Sequence, residues 1–149
     1  MAPDTRLGPP RVHQTHDEHG ILHGVSSVDI VDETFVVAAP KVVATAFADP
    51  ANWRRLWPDL RLEVYLDRGA QGLRWTVRGA LVGTMEVWLE PMLDGTLLHY
   101  FLRADLPGSP DPRKVERERR GRQLATKRIT LGLKTALEHG RAPGCPPVA

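Results

Sequence analysis

Four consecutive segments of this chain alternate apolar and polar residues with a period of two, and this feature constrains the fold more than any other. Successive side chains of a β-strand point to opposite faces, so each segment predicts a strand with one buried face. One-sided alternation is typical of an antiparallel sheet that is covered on a single face. The predicted strands span residues 60–67, 72–78, 84–90 and 96–105.

The links between these strands are short and contain glycine. They comprise residues 68–71, 79–83 and 93–95. Glycine adopts the positive φ angles that tight hairpin turns require. The four strands therefore predict an antiparallel meander whose apolar face needs a cover.

Residues 112–139 are predicted to provide that cover as the one long helix of the chain. Asp111 is the predicted N-cap and Pro112 occupies the first helical position, where a missing N–H costs nothing. A helical wheel gives an inward stripe of mostly small side chains. The stripe consists of Val115, Glu118, Arg122, Ala125, Ile129, Gly132, Leu133 and Ala136.

The meander is preceded by one strand and two short helices. A strand is predicted at 28–38, a helix at 41–48 after Pro40, and a second helical turn at 51–56. Both faces of segment 28–38 mix apolar and charged residues, so its register stays open. Residues 1–24 and 140–149 lack any period and are predicted to be flexible tails around one domain at 25–139.

Composition places the chain among ordinary globular proteins. It has 149 residues, 42% of them hydrophobic and 26% charged, and a net charge of +2. The single cysteine, Cys145, excludes an intramolecular disulfide. No signal peptide or long apolar segment is recognisable, which favours a cytoplasmic protein.

Positive charge is concentrated in one part of the long helix. Residues 113–128 contain eight Lys or Arg residues and two Glu residues. A solvated face is one interpretation, and a peripheral contact of residues 113–122, from Arg113 to Arg122, with an anionic membrane, nucleic acid or an acidic partner is the other. The pattern does not indicate specific nucleic-acid binding.

The segment between the first strand and the meander resembles a known superfamily. Ala39-Pro40-Lys41-Val42-Val43, Phe47, Asp49-Pro50-Ala51-Asn52-Trp53 and Trp57-Pro58 occur in the order found in START-like (SRPBCC) proteins of the polyketide cyclase/dehydrase, coenzyme Q-binding-like type. The resemblance covers about residues 26–140 and implies an α+β helix-grip fold, in which a curved antiparallel sheet surrounds a long C-terminal helix. That family typically has seven strands, whereas five are predicted here, with a hairpin missing between Leu66 and Leu73.

The resemblance further implies a small hydrophobic or amphipathic ligand, lipid- or polyketide-like, between sheet and helix. An ordinary packed core is the alternative for the same residues. The predicted ligand-binding residues are Leu62, Val64, Trp75, Val77, Val87, Tyr100, Leu102, Glu118, Arg122, Ala125, Ile129, Leu133 and Ala136. Among these, the Glu118–Arg122 pair suits a cavity mouth, where it would bind a polar head group; an ordinary surface ion pair along the helix is the alternative.

Catalysis of the cyclase/dehydratase kind is an alternative function, and it would need titratable groups in the pocket. On the inward sheet face, Tyr100 and the Trp75 indole supply the only predicted polar atoms, so no catalytic residue and no cofactor are predicted. A third possibility is an interaction module. It would use the basic helix end, or Trp88 and Phe101, which fall on the polar faces of adjacent strands and suit a homodimer or partner surface.

The spacing of His13, His16, His19 and His23 suits imidazole chelation of a transition metal. These residues lie in the predicted N-terminal tail without other ligands. A solvated tail is therefore favoured and no metal site is predicted.

Overall fold

The structure is a computed structural model that describes residues 26–141, 144 and 145. The predicted N-terminal tail and its four histidines lie outside these residues. The described chain forms strand β1 (Val28–Val36), helices α1 (Pro40–Ala48) and α2 (Pro50–Leu56), strands β2 (Leu60–Asp67), β3 (Gly72–Gly79), β4 (Val82–Met92) and β5 (Gly95–Asp105), and helix α3 (Pro112–Glu138).

All described strands belong to one antiparallel sheet with the order β1-β5-β4-β3-β2. The predicted meander of four strands is confirmed, and β1 pairs with β5 along its whole length. A single 3-10 turn, Gly69–Gln71, joins β2 to β3. It lies where the resemblance predicted that the extra hairpin of seven-stranded START-like proteins is missing. The sheet therefore has five strands, as predicted.

Gly72 makes the sharp β2–β3 connection possible. Its φ angle is +115°, and a Cβ atom there would lie 1.9 Å from the carbonyl oxygen of Val87. Only glycine fits both the backbone conformation and the close approach of β4. The pairing of β2 with β3 also shifts register between Val64 and Leu66, which marks a bulge in this edge strand.

Aspartate side chains cap the starts of α2 and α3, and the Asp111 cap of α3 is as predicted. The Asp111 carboxylate accepts a hydrogen bond from the backbone N–H of Arg113 at 2.7 Å, and Asp49 accepts one from Ala51 at 2.9 Å. Each aspartate precedes a proline at the first helical position. Carboxylates at these sites satisfy backbone N–H groups that have no partner within the helix.

Helix α3 packs mainly against β1, and polar contacts attach it there. The Lys127 ammonium lies 2.8 Å from the Asp32 carboxylate, and the Lys134 ammonium donates to the carbonyl oxygen of Phe35 at 2.7 Å. The helix thus covers one side of the inner sheet face, while α1 covers the part over β3, β4 and β5. No helix in the described part of the chain is long and apolar enough to cross a membrane.

The predicted inward stripe of α3 is correct at most positions and wrong at Gly132 and Ala136. Val115, Glu118, Arg122, Ala125 and Ile129 are half-buried and Leu133 is buried, but Gly132 and Ala136 are exposed. The structure buries Thr126 and Thr130 instead, with Leu137 half-buried. The predicted stripe followed a seven-residue repeat, and a straight helix of 3.6 residues per turn drifts about 20° from that repeat in each heptad.

Candidate functional site

Aromatic rings fill the space between the sheet and the helices. The ring of Trp75 on β3 is fully buried, and its centroid lies 6.5 Å from that of Phe47, 5.7 Å from Trp53 and 6.0 Å from Trp57. Trp57 in turn stacks on Tyr100 with centroids 6.2 Å apart. This arrangement leaves a cavity of about 10 Å³, enough for roughly one water molecule.

That small cavity lies between the sheet and the middle of α3. It is lined by Phe47, Trp57, Val87, Leu98, Tyr100, Thr126, Ile129 and Thr130. Val87, Tyr100 and Ile129 belong to the predicted ligand-binding set, whereas the two threonines were missed because the drift of the helix was not allowed for. The remaining predicted sheet residues Trp75, Val77 and Leu102 are buried core side chains.

Two polar groups of this interior are poorly satisfied. The indole Nε1–H of Trp75 is buried and has no hydrogen-bond partner among the described residues. The Tyr100 hydroxyl donates to the sulfur of Met85 at 3.2 Å, and sulfur is a weak acceptor. Burial, the largest influence, raises the pKa of the Tyr100 phenol far above its usual value, so this group stays neutral.

A half-buried carboxylate adjoins the interior, and the sequence did not reveal it. Asp32 lies on the inward face of β1, where it pairs with Lys127 and accepts a hydrogen bond from the Thr34 hydroxyl at 2.9 Å. Burial alone would raise the pKa of Asp32, but hydrogen bonds from Lys127, Thr34 and Thr130 and the charge of Lys127 lower it overall. The expectation that Tyr100 and Trp75 supply the only polar atoms of this face was therefore wrong.

Glu118 and Arg122 do form the predicted pair, with the Arg122 Nε 3.0 Å from the Glu118 carboxylate. The guanidinium also binds both carboxylate oxygens of Asp59, one of them at 3.1 Å. Arg122 has only 12% of its side chain exposed and connects the α2–β2 loop to α3. Its hydrogen-bonding groups are thus engaged within the protein.

Larger spaces lie at the edge of the sheet, beside strand β2, and Trp53 lines both of them. One open groove of about 320 Å³ is lined by Ala44, Trp53, Val64, Leu73 and neighbouring side chains. A second of about 250 Å³ is lined by Trp53, Leu60 and Leu62 among others. The predicted ligand-binding residues Leu62 and Val64 are half-buried and line these grooves, because β2 is an edge strand without a further hairpin beside it.

The outward face of the sheet holds a second aromatic group. His99 is buried between Trp88, whose ring centroid is 4.3 Å away, and Phe101 at 6.3 Å. The imidazole Nδ1 lies 3.3 Å from the Glu33 carboxylate and Nε2 lies 2.9 Å from that of Glu90. The predicted placement of Trp88 and Phe101 on one face is confirmed, and Trp88 is 37% exposed.

No group of three or more potential metal ligands occurs in the part of the chain that the structure covers. The predicted histidine-rich motif lies outside these residues.

No protein-family model and no curated protein matches the chain. Solved structures do match in their fold. Protein MLL2253 from Mesorhizobium loti is 17% identical with a TM-score of 0.58, and the match covers 76% of this chain and 99% of that one. The Aha1 dimer from Colwellia psychrerythraea is 15% identical with a TM-score of 0.57, over 77% and 99% of the two chains.

A third match is the di-domain aromatase/cyclase StfQ of the steffimycin biosynthetic pathway. It is 16% identical with a TM-score of 0.56, over 76% of this chain and 51% of StfQ. This chain has the START-like helix-grip fold. The helix-grip assignment rests on the strand order, the two short helices after β1 and the long α3, and at these identities it concerns the fold alone.

Proposed function

We propose that this helix-grip protein binds a small apolar or amphipathic molecule that carries a hydrogen-bond acceptor, in the interior between the sheet and α3. The observation that carries the proposal is the unpaired indole N–H of Trp75 in the middle of the core. A buried donor without a partner costs about 1–3 kcal/mol, and a ligand carbonyl would remove that cost. The weakly satisfied hydroxyl of Tyr100 offers a second donor to the same ligand.

Ligand binding requires the interior to open, because the present cavity of about 10 Å³ is too small for an organic molecule. Trp53 is the side chain best placed to move. It is half-buried, lines both edge grooves, and is attached by one hydrogen bond from its indole to the carbonyl oxygen of Phe47. Outward rotation of its ring would join the grooves to the space beside Trp75.

We keep in the proposed site those sequence-predicted residues that lie in the core, beside the cavity or along the grooves. Trp75, Val87, Tyr100 and Ile129 surround the ligand, with Val77, Leu102, Ala125 and Leu133 as supporting core or helix positions. Leu62 and Val64 line the access grooves. Glu118, Arg122 and Ala136 are not part of the proposal, since the first two bind each other and Ala136 is exposed.

The titratable groups near the cavity favour ligand binding over catalysis of the cyclase/dehydratase kind. Tyr100 is the titratable side chain among the residues that line it, and its raised pKa makes the phenol a hydrogen-bond donor rather than a base. The Asp32 carboxylate adjoins the cavity through Thr130, and Lys127 already pairs with it. A proton-transfer mechanism would thus need a base that these residues do not provide.

The test uses 1-tetralone, an aromatic ketone, and tetralin, which has a similar shape but no acceptor. The four tryptophan indole N–H resonances are followed by NMR and assigned by elimination with Trp→Phe variants at Trp53, Trp57 and Trp88. We expect 1-tetralone to shift the Trp75 resonance downfield and tetralin to shift it less. Equal shifts with both compounds would refute the acceptor requirement, and no shift with either would refute binding of this ligand class.

Matched variants on α3 locate the site. Ile129→Trp fills the space beside the cavity, whereas Leu131→Trp places the same side chain on a position that is 47% exposed. We expect Ile129→Trp to abolish the 1-tetralone response and Leu131→Trp to leave it unchanged. Loss of the response in both variants, or in neither, would place binding elsewhere.

The outward aromatic group supports a separate proposal of self-association. Trp88 is 37% exposed beside Phe101, and Val31 on the neighbouring strand is 56% exposed, which makes an apolar patch suited to a homodimer. Light scattering after size exclusion should give a dimer mass that falls to the monomer mass in Trp88→Ser. A monomer mass for the unmodified protein at high concentration would exclude this use of the patch.

A further inference from the structure

The solvent-facing side of α3 differs from an ordinary polar helix surface, because two leucines occupy its centre. Leu124 is 69% exposed and Leu131 is 47% exposed. They are seven residues apart and therefore lie on one line along the helix. Val115 and Leu133 lie on the opposite side and pack against the core, to which neither exposed leucine belongs.

Basic side chains flank this line of leucines. Arg117 and Arg128 lie next to it on the helical wheel, and Arg113 and Lys114 precede it in the first turns. None of the four forms a salt bridge with another described residue, unlike Arg122, which binds Asp59 and Glu118. The first turn contains no acidic residue. The positive charges of Arg113 and Lys114 therefore lie at the positive end of the helix dipole, where they are unfavourable.

Two glycines adjoin the same surface. Gly121 and Gly132 lie inside the helix, where glycine is unfavourable, and a Cβ atom at either position would meet nothing within 4 Å. The fold of the chain therefore does not require glycine there. Their effect is to leave the helix backbone uncovered on the flank of the line of leucines.

The charge determines what can cover this surface. Residues 113–128 contain eight Lys or Arg residues against two Glu residues, so a second copy of α3 would be repelled. The occupant must be anionic, and the exposed leucines require that it also offer an apolar layer. A bilayer with anionic headgroups combines both properties at one surface.

We propose that this side of α3, defined by Arg117, Leu124, Arg128 and Leu131, docks on an anionic membrane surface. The arginines bind lipid phosphates, and the two leucines enter the boundary between headgroups and acyl chains. The segment from Arg113 to Leu131 is roughly 27 Å long at 1.5 Å per residue, and it lies flat on the bilayer. Docking in this way does not depend on the ligand site, because the surface faces away from the core.

The experiment measures co-sedimentation of the full chain with vesicles of pure phosphatidylcholine and of phosphatidylcholine with phosphatidylglycerol at about 3:1. We expect binding to the anionic vesicles at low salt and a loss of at least about tenfold at roughly 0.5 M NaCl, because salt screens the surface charges. Equal binding to both vesicle types, or to neither, would overturn the proposal. An acidic protein as the true partner would appear as the second of these outcomes.

Charge-matched variants assign the surface. Arg117→Glu/Arg128→Glu reverses two charges on α3, and Arg78→Glu/Arg103→Glu reverses two exposed charges on the sheet. We expect the α3 variant to lose anionic-vesicle binding and the sheet variant to retain most of it. Equal losses would show that net charge alone governs binding and would overturn the assignment to α3.

The leucines have a test of their own. Leu124→Ser should weaken vesicle binding by roughly fivefold to tenfold, since an apolar side chain is withdrawn from the interface. Gln123→Ser, on an exposed neighbouring position, is the matched control and should leave binding unchanged. Unchanged binding in Leu124→Ser would refute insertion of the leucines. Thermal melts of each variant establish that the chain remains folded.

Discussion

Replacing the two open glycines of α3 by alanine should stabilise the protein. Gly121 and Gly132 lie well inside a helix of 27 residues, and neither position has an atom within 4 Å of an added Cβ. Alanine is about 1 kcal/mol more favourable than glycine inside a helix, because glycine loses more backbone entropy on folding. The new methyl group meets no steric opposition, so nearly the full gain should be realised at each position.

The two effects should add. The positions are eleven residues apart, roughly 16 Å along the helix, and share no partner. The double variant should therefore gain about 2 kcal/mol in the free energy of unfolding. For a chain of this size, that gain corresponds to a rise in the melting temperature of about 4–8 °C.

Urea unfolding followed by tryptophan fluorescence measures the change, because three of the four tryptophans lie in the interior cluster. Gly83→Ala is the control. A Cβ at Gly83 would lie 2.1 Å from the carbonyl oxygen of Arg103, so this variant should lose about 1–3 kcal/mol. A loss of stability in Gly121→Ala or Gly132→Ala would show that something packs against these positions and would refute their assignment to the open face.

Three further predictions concern the interior. Tyr100→Phe should change the free energy of unfolding by less than about 1 kcal/mol, because the lost hydroxyl donates its hydrogen bond to a thioether sulfur, a weak acceptor; a loss of several kcal/mol in urea titrations would mean that the hydroxyl has a stronger partner. The lowered pKa of Asp32 means that its ion pair with Lys127 contributes stability above the unfolded-state pKa, which is lost as the pH falls through the folded-state pKa. Asp32→Asn should therefore lose less stability than the unmodified protein between about pH 5 and pH 2, and an unchanged acid dependence would contradict this reasoning. Leu133→Ala should cost about 2–5 kcal/mol, whereas Leu131→Ala on the open face should change stability by less than about 0.5 kcal/mol, and similar costs in chemical denaturation would be incompatible with the observed phase of the helix.

Much of the sheet and most helix starts could be predicted because they depend on local chemistry. Alternation places Leu73, Trp75 and Val77 on one face of β3 whatever surrounds that strand, and all three are buried. Asp49 and Asp111 cap the helices that follow them through hydrogen bonds that span two residues. The count of five strands follows from the same local pattern.

The candidate site was harder to predict, because its key relations join residues that are distant in the sequence. The inward position of Asp32 depends on Lys127 of α3, and β1 alone carries no unambiguous alternation. Arg122 binds Asp59 in the loop before β2, so its guanidinium is engaged within the protein instead of facing a ligand at the expected cavity mouth. No local rule specifies such pairs.

The volume of the cavity between the sheet and the helices likewise depends on three-dimensional packing. The sequence shows that Phe47, Trp53, Trp57, Trp75 and Tyr100 are aromatic, but not that their rings converge on one volume and leave about 10 Å³. The small residues predicted along α3 suggested room for a ligand, yet Gly132 and Ala136 face away from the sheet. Residue types and local periodicity therefore determine which elements form and which strand faces are apolar. The phase of the long helix, the partners of the charged groups and the free volume come from contacts between distant segments, whose energies depend on exact distance and direction.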